Sequence, residues 1–227
     1  MIGLRENWPR VRLPDRSLYG GNQGEFARKG IQVSGCGLIA AMDTLRYLWR
    51  RQPGQGFFPQ DLPAELPKDE YETLTLALNR RFVKVVPPFG VNGLTLAWGM
   101  NRFFRRCSLP LRARWGTSRK KLWQTVGRML TQDLPVILAI GPNWPRLWGK
   151  REVGLYRDPA DPSPAATVCG HYVTVTGMDE DWIRVSSWGR QYYIRKAEFE
   201  HYVRTFSCNL FSSCLVLRRL DEKEAEA

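Results

Sequence analysis

One stretch constrains this chain more than any other: SGCGLIAAMDTLRYLWR, residues 34–50. Positions 38–42 are Leu, Ile, Ala, Ala and Met. Leu45, Tyr47, Leu48 and Trp49 continue the apolar pattern, leaving Asp43, Thr44 and Arg46 as the polar members. A helix that is apolar on most of its sides has to be surrounded, so this segment is expected at the centre of the fold. It opens on Cys36, a thiol between two glycines. Unpaired backbone N–H groups and the positive end of the macrodipole favour a thiolate at such a helix start. A free cysteine in apolar surroundings is otherwise a small buried hydrophobe. Both readings stand until the rest of the chain is considered.

Around that helix the texture is mixed. The N-terminal residues, rich in Arg, Pro and Gly, read as an extended arm at 1–18, and RQPGQGFFPQDLPAELP reads as loop. Apolar periodicity predicts helices over 68–80, 93–105 and 118–132. The run PVILAI at 135–140 has strand length, and a Gly/Pro-rich loop over 141–166 separates it from HYVTVTGM. Short strands are expected at 171–177, 182–186 and 191–194, then a helix at KAEFEHYVR and a last strand near CLVLRR. Helices first and an antiparallel sheet second argue for an α+β fold. With 227 residues, 43% hydrophobic, the chain suits one domain, expected at 19–220, followed by a frayed acidic tail, DEKEAEA, at 221–227.

Several function classes drop out. No run approaches the roughly 18 apolar residues of a membrane span, and the N-terminus lacks the apolar centre of a secretory signal, so no membrane partner and a cytoplasmic location are expected. Five cysteines (36, 107, 169, 208, 214) without a CxxC pair suggest neither a disulfide framework nor a cysteine zinc site. With only two histidines, no metal is expected, and the cysteine chemistry that the resemblance given below implies needs no organic cofactor. The formal charge of +12 raises the question of an acidic partner. Arg102–Gln132 holds nine basic residues and no acid, with Phe103, Phe104, Trp115 and Trp123 interleaved. Such a stretch either tracks nucleic acid or is a solvated face, and the second is the plainer reading.

A cysteine nucleophile needs a base, and the base an orienting partner. His171 opens a strand directly after Gly170, where loop gives way to sheet; His201 lies among charged residues of a C-terminal helix and reads as surface. If the turn of the next hairpin lies at 179–181, strand pairing brings the segment SSWG (186–189) back beside His171. Asp179 and Asp181 are then turn residues roughly 25 Å along the strand and cannot orient the ring.

At this point the chain resembles a family. GCGLIAAMDTLRYL, PVILAIG and GHYVTVTGMDEDWIRVSSWGRQYYI together are similar to the papain-like cysteine peptidases, in particular the bacterial group akin to domains that trim bacteriocin leader peptides. The likeness runs in order from Tyr19 to Ile194; between 52 and 132 it is one of character, without motif. It implies a helical lobe whose central helix bears the cysteine, packed against an antiparallel sheet. Cys36 would be the nucleophile and His171 the general base on a peptide or protein substrate, with Gly35, Gly170 and Trp188 beside that substrate. The family's Asn or Asp position falls on Ser186, with Trp188 and Gly189 preserved. Serine is a shorter and weaker partner for an imidazole, which implies reduced or absent activity. Alternation puts 186 and 187 on opposite faces, so a slip of one would make Ser187 the partner; the motif position selects Ser186. The family's oxyanion glutamine would fall on Gly30, which cannot serve. Gln23 in YGGNQGEF replaces it if the intervening residues bulge as a loop; Gln32 is the alternative, and Gln23 is preferred because its flanking glycines permit close approach. The same scaffold could instead be an acyltransferase, or an inactive module docking an acidic partner or nucleic acid.

Overall fold

The computed structural model describes residues 1–144 and 151–220. Its elements run β1 (Ile2–Gly3), β2 (Arg10–Arg12), β3 (Ser17–Tyr19), α1 (Lys29–Ser34), α2 (Cys36–Arg51), β4 (Glu65–Pro67), α3 (Lys68–Arg81), α4 (Gly93–Arg106) and β5 (Leu111–Trp115). There follow α5 (Leu122–Thr131), β6 (Val136–Ile140), β7 (Val153–Leu155), β8 (Ala166–Val168), β9 (His171–Met178), β10 (Trp182–Ser187), β11 (Arg190–Arg195), α6 (Lys196–Thr205) and β12 (Cys214–Arg219). This is an α+β architecture whose main sheet has the order β11-β10-β9-β6-β12-β5, with β1 added beside β9. All its pairings are antiparallel.

The expected central helix is central. Every residue of α2 from Gly37 to Trp49 is buried, the three polar ones included. Apolar burial of this order stabilises by about 25 cal/mol per Å² of surface removed from water, but the polar trio needs partners inside. Arg46 donates through Nη2 to the carbonyls of Arg10 (3.1 Å) and Ala64 (3.0 Å), tying α2 to the ends of β2 and β4. Trp49 sits edge-on to Phe58 and Phe103, with Phe57 and Phe82 extending the aromatic cluster under α4.

The N-terminal segment is not an arm. β2 pairs antiparallel with β3 and parallel with β4, and Trp8, Val11, Leu13 and Leu18 are buried. The physical reason is period-two alternation: Val11 and Leu13 turn inward while Arg10 and Arg12 stay exposed. Two further short elements lie where loops were expected, the β7–β8 hairpin and α1. β5, in a stretch read only as basic, forms the sheet's last strand. The residues of the expected acidic tail lie outside the described residues.

An edge strand offers unpaired backbone groups to other chains. Here α4 closes it: Asn101 donates through Nδ2 to the Ala113 carbonyl (2.8 Å) and accepts from its N–H at Oδ1 (2.7 Å). Asn101→Ala leaves both groups of buried Ala113 unmatched, so the urea midpoint should fall by an amount worth about 2 kcal/mol at unchanged m. An unaltered midpoint would mean that solvent replaces the amide at no cost.

Candidate active site

Cys36 is the first residue of α2, directly after Gly35, which also ends α1 by donating its N–H to the Ile31 carbonyl (2.8 Å). The helix start lies hard against β9. A methyl group on Gly37 would come within 3.2 Å of the Tyr172 ring, so a small residue lets α2 seat there. Burial pushes the Cys36 thiol above its ordinary range, while backbone hydrogen bonds at Tyr172, Gly37 and Cys36 itself pull it back. The helix start therefore does not make a resting thiolate: desolvation outweighs the amides. What the amides do is fix the sulfur next to the residue that follows His171.

His171 is the first residue of β9, opposite Ile140 of β6, and is 8% exposed. Its Nε2 lies 2.8 Å from Ser187 Oγ. Burial lowers its pKa to about 4, so the ring is neutral at physiological pH. A neutral ring holding its proton on Nε2 donates to the serine and leaves Nδ1 free to accept. The partner is thus Ser187, and the preference for Ser186 is corrected. Pairing between β9 and β10 ends at Thr174–Ser186, and it is the next side chain that reaches the ring. Ser186 Oγ instead donates to the Tyr19 carbonyl (2.9 Å).

The β10–β11 turn has Ser187 opposite Arg190, with Trp188 (φ 49°) and Gly189 (φ 71°) between them. Positive φ at both central residues is what a two-residue type I′ hairpin requires, but a tryptophan there stores about 1–3 kcal/mol of strain. The conformation lays the Trp188 ring 4.6 Å from that of His171, centroid to centroid. Trp188 therefore packs against the His171 ring.

Gln23 reaches the same place from the other side. Cys36, His171, Ser187, Trp188, Gln23 and Asp43 all line one cavity of about 20 Å³, room for about one water. Gln23 donates through Nε2 to the Gln32 carbonyl (2.7 Å); its amide carries a second hydrogen for the cavity. Gln32 donates to the Phe26 carbonyl and is not part of the lining. The residues between Gln23 and Cys36 form α1 rather than a plain loop.

Asp43 is the residue that sequence reasoning missed. It stands two turns after Cys36 on the same face of α2, a relation the helical period would have shown. Its carboxylate accepts from the Gly21 N–H (2.8 Å) and from the Tyr71 hydroxyl (3.0 Å). Burial raises its pKa to about 6, against the pull of Arg46 and of these two hydrogen bonds. Gly20 (φ 78°) turns the chain there, where a methyl group would lie 2.6 Å from both Asp43 Oδ2 and Ser186 Oγ. The Gly20–Gly21 turn is thereby pinned to α2, and Gln23 with it.

A larger groove of about 510 Å³ shares His171 and Tyr172 with the cavity and, Asn92 apart, is otherwise apolar, with Phe89, Leu94, Trp115 and Leu210 along it. Gly170 (φ 62°) belongs to this groove, whereas Gly35 lines neither space. His201 is exposed, and Asp179 caps the β9–β10 turn by accepting from the Asp181 and Trp182 N–H groups. The five cysteines, all among the described residues, form no disulfide. Among the described residues no group of three or more His, Cys, Asp or Glu could hold a metal ion, and no helix is long and apolar enough to cross a membrane. Compared with protein-family models, curated proteins and solved structures, the chain matches none.

Proposed function

We propose that the protein is a papain-like cysteine peptidase acting through a Cys36 acyl-thioester. One observation carries this reading: a thiol on a helix start and an imidazole on a strand start, far apart in sequence, line one small cavity, and the ring's outer nitrogen is held by Ser187. A raised thiol and a lowered imidazole favour a neutral resting pair over a thiolate–imidazolium pair. Proton transfer then accompanies attack. As Sγ bonds to the acyl carbon, its proton passes to His171 Nδ1, and the Nε2–H···Oγ bond to Ser187 holds the ring. Negative charge on the carbonyl oxygen is met by the Cys36 N–H and the Gln23 amide. Collapse breaks the C–N bond, His171 returns the proton to the departing amine, and water then cleaves the thioester with His171 again as base. The apolar groove beside His171 and Tyr172 suits a substrate with a large uncharged side chain near the scissile bond.

An activated ester tests this without knowledge of the natural sequence preference. With p-nitrophenyl acetate, intact-mass analysis and peptide mapping should find one acetyl group, on Cys36, and Cys36→Ala should abolish both the adduct and ester turnover above background. Acceleration of breakdown by an added amine, with amide formed, would assign the acyltransferase variant of the chemistry. Acetylation spread over the other cysteines, or unchanged turnover in Cys36→Ala, would end the proposal.

A further inference from the structure

Between Thr73 and Gln132 the chain carries twelve basic residues and no acid. The fold gathers them rather than scattering them. α3 and α4 end at the same place, so Arg80, Arg81, Arg102, Arg105 and Arg106, all exposed, line one groove of about 970 Å³ with Phe57 and Phe82. A second groove, of about 620 Å³, takes Asn101 from α4 and Arg112, Arg114, Arg128 and Arg218 from β5, α5 and β12. Helix α4 contributes to both grooves.

Arginine in the last turn of a helix offsets the macrodipole, worth about 0.3–1 kcal/mol each, and that accounts for the four terminal arginines one at a time. It does not account for their convergence on one groove. None of the ion pairs found among the described residues reaches the five groove arginines. On the neighbouring strands Arg112 lies directly opposite Arg218, so two guanidinium groups stand side by side along the second groove. Neither groove is lined by lysine, although the sequence has eight. Guanidinium rather than ammonium is the group that grips phosphate in a two-pronged fashion.

We infer that the arginine groove at the joined ends of α3 and α4 binds single-stranded nucleic acid, with phosphates on the guanidinium groups and bases against the aromatic rings beside them. Those rings are at hand: Phe57 and Phe82 line the groove, and Arg102 lies over Trp98 (4.7 Å) and Phe82 (6.0 Å). Stacking on such rings is tolerant of sequence. An extended acidic peptide would gain less. It would draw its affinity from a free strand edge, yet the first groove is walled by helix ends and a loop, and Asn101 closes the edge of β5 at Ala113. The inference is independent of any chemistry at Cys36.

The test uses the full chain and a fluorescein-labelled, mixed-sequence RNA single strand of about 12 nucleotides, followed by anisotropy across a salt series. Five phosphate contacts predict a slope of log Ka against log salt of about −3.5. The triple variant Arg102→Gln/Arg105→Gln/Arg106→Gln should bring the slope to about −1.4 and weaken binding about 100-fold at 0.1 M salt. A charge-matched control, Arg12→Gln/Arg28→Gln/Lys29→Gln, should bind within about twofold of the parent. Circular dichroism melts of both variants establish that each is folded. Three results would overturn the inference: no saturable binding at low salt, equal loss in the control, or displacement of the RNA by polyglutamate at equal charge concentration, which would assign the groove to acidic protein instead.

Discussion

His171→Ala should slow acylation of Cys36 by about 10²–10⁴-fold, the usual worth of a positioned general base. The pH profile separates loss of the base from a mere loss of packing. In the parent protein the reacting form needs a neutral imidazole, and burial sets that titration at about 4. The acylation rate should therefore climb to a plateau just above pH 4 and stay level through neutrality. In His171→Ala nothing removes the proton from the thiol, so the rate should follow thiolate formation and rise only in alkaline solution, because burial raises Cys36. Ser187→Ala removes one neutral hydrogen bond, worth about 1 kcal/mol, or about fivefold in rate. Ser186→Ala should leave the profile's shape unaltered, since its hydroxyl serves the Tyr19 carbonyl. The arrangement at the site would have no catalytic meaning if His171→Ala kept the parent's plateau.

How much of this was legible beforehand depends on the range of the interaction involved. The helix of Cys36 and the strands of His171 and PVILAI carry their periodicity locally, and their boundaries agree within a residue or two. Short elements do not. The three-residue strands β2, β3 and β4 are held by pairing with one another, which no window along the chain reveals. Gln23 could be brought to the cavity on grounds of flanking glycines. The agent that holds it there, Asp43, is an ordinary polar position of α2 until Gly21 and Tyr71 are folded onto it. The serine choice shows a different limit. Motif spacing counts residues, whereas the hydrogen bond depends on which of two adjacent hydroxyls the end of β10 turns toward the ring. The basic stretch was visible as charge, but the meeting of its arginines in grooves is a property of where α3 and α4 stop.

Two buried groups in the one cavity should leave opposite marks on stability. His171 titrates near 6.5 when unfolded and at about 4 in the fold. Between those values the unfolded chain binds more protons, so this stabilisation is complete above pH 6.5 and is lost as pH falls to 4. About 2.5 units amount to about 3 kcal/mol. Asp43 runs the other way, from 3.8 unfolded to about 6 folded. There the native state binds more protons, so its contribution is present in acid and declines by about 3 kcal/mol as pH rises from 4 to 6. The parent protein should thus show little net slope from these two groups between pH 4 and 6. Asp43→Asn keeps an oxygen to accept from Gly21 or Tyr71 and removes the titration, so urea unfolding should lose about 3 kcal/mol on acidification from 6.5 to 4. His171→Gln should do the reverse and gain stability over 6 to 4, and the double variant should return to a flat profile. Parallel profiles in all four proteins would mean that neither group is held in the low-dielectric setting that the cavity describes. Inside the fold Gly21 and Tyr71 satisfy the oxygens of the Asp43 carboxylate, and they thereby fix the turn that brings Gln23 to the cavity.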